Sequence, residues 1–139
     1  MKSVIKIIAI VAGLLIGVFG IWYYFVNNTT FPEEVLMVGE QVDDNGRVHF
    51  YKNIKEEEKI ARYKKLYNSI GIIYEGEEPK DYPDFVISIL NPESMVTHNL
   101  NIWVKEDQVI VFKRSNNSSY FRILSSAQFK ELKEILEIE

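Results

Sequence analysis

Residues 7–26, IIAIVAGLLIGVFGIWYYFV, decide how this chain is organised, because the run contains no charged side chain. An α-helix rises about 1.5 Å per residue, so about 20 apolar residues span the roughly 30 Å hydrocarbon core of a bilayer. Each Ile, Leu, Val or Phe near the centre of such a helix favours insertion by roughly 0.3 to 0.6 kcal/mol. The run is therefore predicted to be a transmembrane helix.

The charges that flank this run predict its orientation. Lys2 and Lys6 precede it, whereas residues 27–34, which follow it, include no basic side chain. Because loops rich in Lys and Arg stay in the cytoplasm, residues 1–6 are expected to form a cytoplasmic stub. The rest of the chain is then extracytoplasmic. Trp22 and the two tyrosines after it fall at the outer end, where amphipathic rings favour the lipid headgroups.

A cleaved signal peptide is the alternative interpretation, and it requires a shorter apolar core with small residues before the cleavage site. Val18 and Gly20 fit such a site, but bulky apolar residues continue to Val26 and no Ala-x-Ala triplet follows. We therefore favour an uncleaved signal anchor in the cell membrane, and the sequence leaves open whether cleavage ever occurs. Because the chain has no cysteine, a lipid-modified cysteine is excluded.

Small residues recur at every fourth position of the predicted helix, at Ala9, Gly13 and Gly17. This spacing places them on one helix face and lets a second helix approach closely. The face is a candidate for helix association, and thus for a homo-oligomer formed through the membrane helix. The alternative is that these small residues contact only lipid.

The composition of the remaining chain narrows the class of protein. About 110 residues follow the run, a usual size for one domain. The absence of cysteine rules out disulfides, and a cysteine-free extracytoplasmic domain suggests a bacterial protein. All 20 acidic residues follow the run, together with 14 of the 16 basic ones, which gives the domain a net charge near −6. With no basic stripe, nucleic acid is not an expected partner.

The first half of this domain reads as a β-hairpin followed by a helix. Residues 34–42 and 47–52 flank Asp43-Asp44-Asn45-Gly46, and Asn-Gly supplies the positive φ values of a tight turn. Asn53 is predicted to cap the helix, with Glu56 in capping-box position, and Gly71 to end it. The residues at helical spacing that should face the core are Ile60, Tyr63, Tyr67 and Ile70.

The second half reads as strands in meander order. A short strand at 72–74 and an acidic loop at 75–84 come first. The four strands that follow, joined by short turns, are predicted at 84–90, 96–104, 108–114 and 120–124. Val109 to Phe112 is apolar throughout and predicts a central strand, whereas the alternation from Asn99 to Val104 predicts a strand with one exposed face.

A last helix completes the predicted fold. Ser125 caps it with Gln128 in box position, and Phe129, Leu132, Ile135 and Leu136 form its core stripe. The predicted class is α+β: the transmembrane helix, a connector at 27–33, and one domain at 34–139. That domain is expected to have a mainly antiparallel sheet of about six strands, with two helices packed on it.

The second half also resembles a known family. The segments that carry the likeness are Pro83-Asp84-Phe85, Asn101–Val104, Gln108–Phe112, Tyr120–Ser125 and the terminal helix. They resemble the YhfM-like domain of small membrane-attached proteins in Bacillus and relatives, and the order of elements is similar over most of the chain. The resemblance implies an extracytoplasmic α+β domain of unknown function and supplies no functional residues.

A search for catalytic and metal-binding motifs gives little. His49 and His98 are the only histidines, and neither has a second nitrogen ligand at motif spacing. The chain has no Gly-x-Ser-x-Gly, no phosphate-binding glycine loop and no cysteine nucleophile. We expect no catalytic site, no metal and no cofactor. Two alternatives stay open: a metal site from both histidines and a carboxylate, and a dispersed hydrolase triad of Ser88 or Ser94 with His98.

One candidate interaction surface remains. Asn99, Asn101 and Trp103 share a side of their strand, and Tyr120 and Arg122 share a side of theirs. If the helices cover the other face of the sheet, these residues form an exposed patch of types enriched in interfaces. The alternative is that Trp103 packs against its own sheet or in the core.

These observations rank three functions. The first is a non-catalytic module that binds an envelope protein or a peptide. The second is a modulator or immunity-type protein that acts through its membrane helix. The third is an unrecognised hydrolase.

Overall fold

The computed structural model describes residues 1–28, 33–115 and 118–139. The chain divides into two compact units, Met1–Phe31 and Pro32–Glu139. The first unit is one helix, α1 (Lys2–Asn28). Its portion Lys2–Val26 is long and apolar enough to cross a membrane, and none of it is buried. The helix thus starts before the predicted residue 7 and includes the first two residues of the predicted connector, whose residues 29–32 lie outside the described part.

The second unit is a seven-stranded antiparallel sheet with two helices packed on one face. The strands are β1 (Val35–Gln41), β2 (Val48–Ile54), β3 (Ile72–Ile73), β4 (Phe85–Leu90), β5 (Val96–Val104), β6 (Val109–Ser115) and β7 (Ser118–Leu124), and the helices are α2 (Glu57–Ser69) and α3 (Ser126–Leu136). The strand order is β2-β1-β4-β5-β6-β7-β3. This confirms the α+β class, with slightly more strands than expected.

The main core lies between the helices and one face of the sheet, which we call the helix face. Leu100, Ile102 and Val111 mark this face at the centre of the sheet, and each is fully buried. The predicted stripes of both helices point into it, and Leu66 joins that of α2. The buried helical residues are Ile60, Tyr63, Leu66, Tyr67, Leu132, Ile135 and Leu136, with Ile70 directly after α2.

The start of α2 differs from the prediction. Asn53 does not cap a helix, because β2 continues through it to Ile54. Asn53 lies opposite Met37, and Ile54 lies opposite Leu36 and is buried in the core. Pairing with β1 therefore outweighs the local capping signal. The helix begins at Glu57, and the Glu56 side chain makes no capping hydrogen bond.

The cap of α3 is the predicted one. The Ser125 hydroxyl accepts a hydrogen bond from the Gln128 backbone N–H at 3.2 Å, and the Gln128 side chain accepts one from the Ser125 N–H at 2.9 Å. This reciprocal pair satisfies two backbone donors at the start of the helix. Both partners come from one turn, which explains why sequence spacing alone located the helix.

The predicted hairpin of β1 and β2 is confirmed, but its turn has a different basis. Of the two residues Asn45 and Gly46, only Gly46 has a positive φ, which is 75°. The turn is held instead by the Asp43 carboxylate, which accepts hydrogen bonds from the backbone N–H groups of Asn45 at 3.0 Å and Arg47 at 3.1 Å. Aspartate at the start of a turn commonly bonds the backbone in this way.

A β-bulge in this hairpin makes one glycine necessary. The register of β1 against β2 shifts between Val38 and Gly39. A Cβ atom at Gly39 would lie 2.5 Å from the His49 carbonyl oxygen, which is closer than van der Waals contact allows. Because the conflict is with backbone, no rotation of a side chain relieves it.

We therefore expect Gly39→Ala to destabilise the domain by about 1–3 kcal/mol, as overpacked sites do. The measurement is thermal unfolding of the full-length protein in detergent, with a fall in Tm of roughly 4 °C or more. Gly71→Ala is the matched control, because the nearest atom to its added Cβ is 3.9 Å away. Equal Tm values for the two variants would contradict the steric argument.

Candidate interaction surfaces

The five predicted surface residues do not form one patch, because strand register divides them between the two faces of the sheet. Residues opposite each other in neighbouring antiparallel strands share a face. Trp103 lies opposite Ile110. Asn101 lies opposite Phe112, which in turn lies opposite Phe121. On the other side, Arg122 lies opposite Val111, and Tyr120 lies opposite Lys113, which lies opposite Leu100. Tyr120 and Arg122 are therefore on the helix face, and Asn101 and Trp103 are on the other.

Trp103 is a buried residue and not part of an exposed surface. Its side chain is 6% exposed, and its indole N–H donates a hydrogen bond to the Asp81 carbonyl at 2.9 Å. Its ring centroid lies 6.0 Å from that of Phe121, which is 4.9 Å from Phe112. The expectation that β5 has one exposed face is thus wrong at Trp103, and the alternative, that Trp103 packs against its own sheet, is confirmed.

The acidic loop at 75–84 contacts the face that carries Trp103, which we call the loop face. The Trp103 indole N–H donates to the Asp81 carbonyl, and the ring centroid of Tyr74, just before the loop, lies 6.4 Å from that of Phe121. The Lys105 ammonium lies 2.7 Å from the Asp81 carboxylate and lowers the pKa of that carboxyl. Within the described residues, no group of three or more His, Asp or Glu side chains is placed to hold a metal ion.

Asn99 has a structural partner on the loop face. Its side-chain NH₂ donates a hydrogen bond to the Ser88 hydroxyl at 2.8 Å, and Ser88 is fully buried. A buried hydroxyl without a partner would be destabilising, so this bond accounts for the pair. Asn101 is half-buried on the same face.

Tyr120 and Arg122 stay together at an edge of the sheet. The Arg122 guanidinium carbon lies 4.6 Å from the centroid of the Tyr120 ring, and Tyr120 is 50% exposed. Next to β7 lies β3, whose residues Ile72 and Ile73 are 52% and 61% exposed. We call these four residues the β3–β7 edge. Sequence reasoning missed Ile72 and Ile73, although two β-branched residues on a predicted short strand were a usable signal.

Two cations near this edge, Lys113 and Arg122, have no acidic partner among the described residues. Lys113 lies opposite Tyr120, and its ammonium donates a hydrogen bond to the Tyr67 carbonyl at 2.7 Å. Burial lowers the pKa of Lys113, and the positive charge of Arg122 lowers it further. Among the residues that the structure describes, neither Lys113 nor Arg122 forms an ion pair. In a domain with a net negative charge, this positive spot can receive a carboxylate.

The candidate helix-association face of α1 is exposed. Ala9, Gly13 and Gly17 all lie on the exposed helix. A Cβ atom added at Gly13 or Gly17 would meet nothing within 4 Å. The face has room for a second helix, and its association stays a prediction.

The two histidines lie on different strands, β2 and β5, with β1 and β4 between them. His49 is exposed, whereas His98 is half-buried in a bulge with a φ of 50°. The His98 ring lies 5.1 Å from that of Tyr67, and its Nδ1 lies 3.0 Å from the Thr97 hydroxyl. In the described part of the chain, His98 makes no hydrogen bond to a serine.

Comparisons of the chain with protein-family models, curated proteins and solved structures find no match. The resemblance to the YhfM-like domain therefore stays a prediction from the sequence pattern. By its geometry, the β3–β7 edge is a stronger candidate surface than the loop face, because three of its four residues are exposed whereas Trp103 is buried.

Because Trp103 is buried, we expect Trp103→Ala to lower the free energy of unfolding by about 3–5 kcal/mol. Chemical denaturation of the full-length protein in detergent measures this loss. Trp103→Phe is the control that keeps an aromatic ring but removes the hydrogen bond to Asp81, and it should cost less. A Trp103→Ala protein with wild-type stability would show that the ring is not part of the packing.

His98 predicts a loss of stability in mild acid. Burial lowers its pKa in the folded state, Lys64 and Lys113 lower it further, and Glu34 opposes them. The folded pKa thus lies below the unfolded value of about 6.5, so the stabilisation is present above that pH and is lost as the pH falls. We expect Tm to decrease between about pH 7.5 and about pH 5.5.

His98→Asn should reduce this pH dependence, because asparagine does not titrate and tolerates a positive φ. His49→Asn is the matched control and should keep the wild-type pH dependence. If both variants follow the wild-type curve, another group is responsible for the acid sensitivity.

Proposed function

We propose that this chain is a single-pass membrane protein of a bacterial envelope that presents a non-catalytic interaction module outside the cytoplasm. The observation that carries the proposal is the contrast between the two units. Lys2–Val26 is apolar and wholly unburied, whereas the second unit has a buried core of its own. A bilayer would solvate the side chains of α1, which water does not.

The charge pattern supports the proposed orientation. Lys2 and Lys6 are the only charged side chains before Glu33. Positive charge at the start of α1 favours a cytoplasmic N-terminus, and a spanning α1 would then put the domain on the other side. The likeness to the YhfM-like domain, which is extracytoplasmic, agrees with this orientation.

The interaction role is supported by the β3–β7 edge. Interfaces are enriched in Tyr and Arg, and an exposed sheet edge presents backbone groups that a partner strand can use. The β3–β7 edge combines both features. The proposed partner is another envelope protein or a peptide.

Single-cysteine labelling tests the topology, because the chain has no native cysteine. Asn68 is exposed on α2, and Ser3 lies in the predicted cytoplasmic stub. In intact cells, a membrane-impermeant maleimide should label Asn68→Cys, whereas Ser3→Cys should react only after permeabilisation. Each labelled protein should keep its full mass in the membrane fraction.

Two other results would contradict the proposal. Labelling of Asn68→Cys only after permeabilisation would reverse the orientation, and a shortened protein released from the membrane would identify a signal peptide.

Exchange of residues 1–28 for an unrelated spanning helix separates the module from the helix-mediated alternative. An interaction module should still bind its partner after the exchange, whereas a protein that acts through Ala9, Gly13 and Gly17 should lose partner binding.

A further inference from the structure

We propose that the β3–β7 edge binds an extended, acidic segment of a partner protein, which adds to the sheet as a further strand. This inference rests on the proposed function, because it assigns a site and a class of partner to the interaction module. The edge supplies backbone hydrogen bonds, exposed apolar side chains supply contact area, and Arg122 and Lys113 supply the preference for a carboxylate.

The first step concerns the backbone of β3. The Tyr74 N–H donates a hydrogen bond to the Phe121 carbonyl, so the backbone groups of Tyr74 point towards β7. Backbone groups of successive residues in a strand point to opposite edges. The N–H and C=O of Ile73 therefore point outwards, where a partner strand can bond to both.

The second step concerns the side chains that such a strand would meet. Ile73 lies opposite Arg122 and shares the helix face with it and with Tyr120. Both isoleucines are more than half exposed. Because they are the only two residues of β3, the strand has no lysine of the kind that often blocks strand addition. A partner with β-branched residues would cover them.

The third step concerns charge. Arg122 donates only to the Phe121 carbonyl at 3.2 Å and stacks on Tyr120, so in the described part of the chain its guanidinium has no carboxylate. Lys113, one strand further in, adds positive charge behind Arg122: its ammonium donates to the Tyr67 carbonyl and lies 4.4 Å from the centroid of the Tyr67 ring, and among the described residues it has no carboxylate partner. A glutamate or aspartate on the helix-face side of the added strand would form a charge-assisted hydrogen bond with Arg122.

A partner segment fits this edge better than a second copy of the chain. In a second copy, residues 75–78 after β3 include three glutamates that could approach Arg122. However, two copies joined through β3 would also place both acidic loops close together at the junction, where their like charges repel. An unrelated segment can carry one carboxylate beside Arg122 and uncharged residues beside Glu75 to Glu78, which reduces this repulsion.

The experiment uses the full-length protein in nanodiscs and a displayed library of random ten-residue peptides as the probe. We expect enriched peptides to alternate β-branched residues with Glu or Asp. The best peptide is then synthesised with capped ends, and its affinity is compared with that of a version in which Gln replaces the acidic residues. A third version carries N-methyl groups on alternate amides, which blocks strand pairing and should abolish binding.

Arg122→Gln should weaken binding of the acidic peptide by about tenfold or more, the loss expected for one charge-assisted hydrogen bond. Arg114→Gln is the matched control, because Arg114 is exposed on the adjacent strand but lies on the loop face. Its affinity should stay within about twofold of wild type. Ile73→Pro removes the outward N–H and should also weaken binding, with thermal unfolding as the check of folding.

Several results would overturn the inference: no enrichment, enrichment of neutral or basic peptides, equal effects of Arg122→Gln and Arg114→Gln, or full affinity of the N-methylated peptide. Dimerisation that Arg122→Gln abolishes, without acidic enrichment, would assign the edge to a second copy and overturn it as well. The cysteine labelling is independent of these readouts. If Asn68→Cys is labelled in intact cells and no acidic peptide binds, the membrane presentation stands and this inference fails.

Discussion

The structure of the domain depends on the need to cover both faces of β6. Val109, Ile110 and Val111 are consecutive and all buried, so apolar side chains leave this strand in both directions. The two helices cover the helix face. The loop face is covered by its own aromatic cluster and by the loop at 75–84, whose Asp81 carbonyl accepts a hydrogen bond from Trp103. A two-faced apolar strand therefore explains both the position of the helices and the burial of Trp103.

Signals confined to one turn or one strand were predictable from the sequence. The capping box at Ser125, the hairpin around Gly46 and the meander from β4 to β7 each depend on neighbours within a few residues. The cap predicted at Asn53 failed for the opposite reason. Its outcome depends on Met37 and Leu36 in another strand, and burial of Ile54 in the core outweighs one capping hydrogen bond.

The candidate surface shows the same limit at a larger scale. The alternation within β5 and within β7 correctly paired Asn101 with Trp103 and Tyr120 with Arg122. Which side of one strand matches which side of another depends on register, and a shift of one residue exchanges the faces. The apolar run from Val109 to Phe112 already indicated a strand covered on both faces, and that covering applies equally to the neighbouring Trp103.

The two edges of the sheet differ in how well they are protected, and this difference bears on the proposed role. At β2 the edge carries a bulge and Lys52, whose ammonium lies 3.7 Å from the carboxylate of Glu137, directly after α3. Both features discourage strand addition. At β3, within the described residues, the main protection is the shortness of the strand. A short strand offers few hydrogen bonds, so binding there is expected to be weak for a free peptide. Membrane attachment of the module and its partner would raise their effective concentration, roughly to millimolar for short linkers, and would make weak strand addition sufficient.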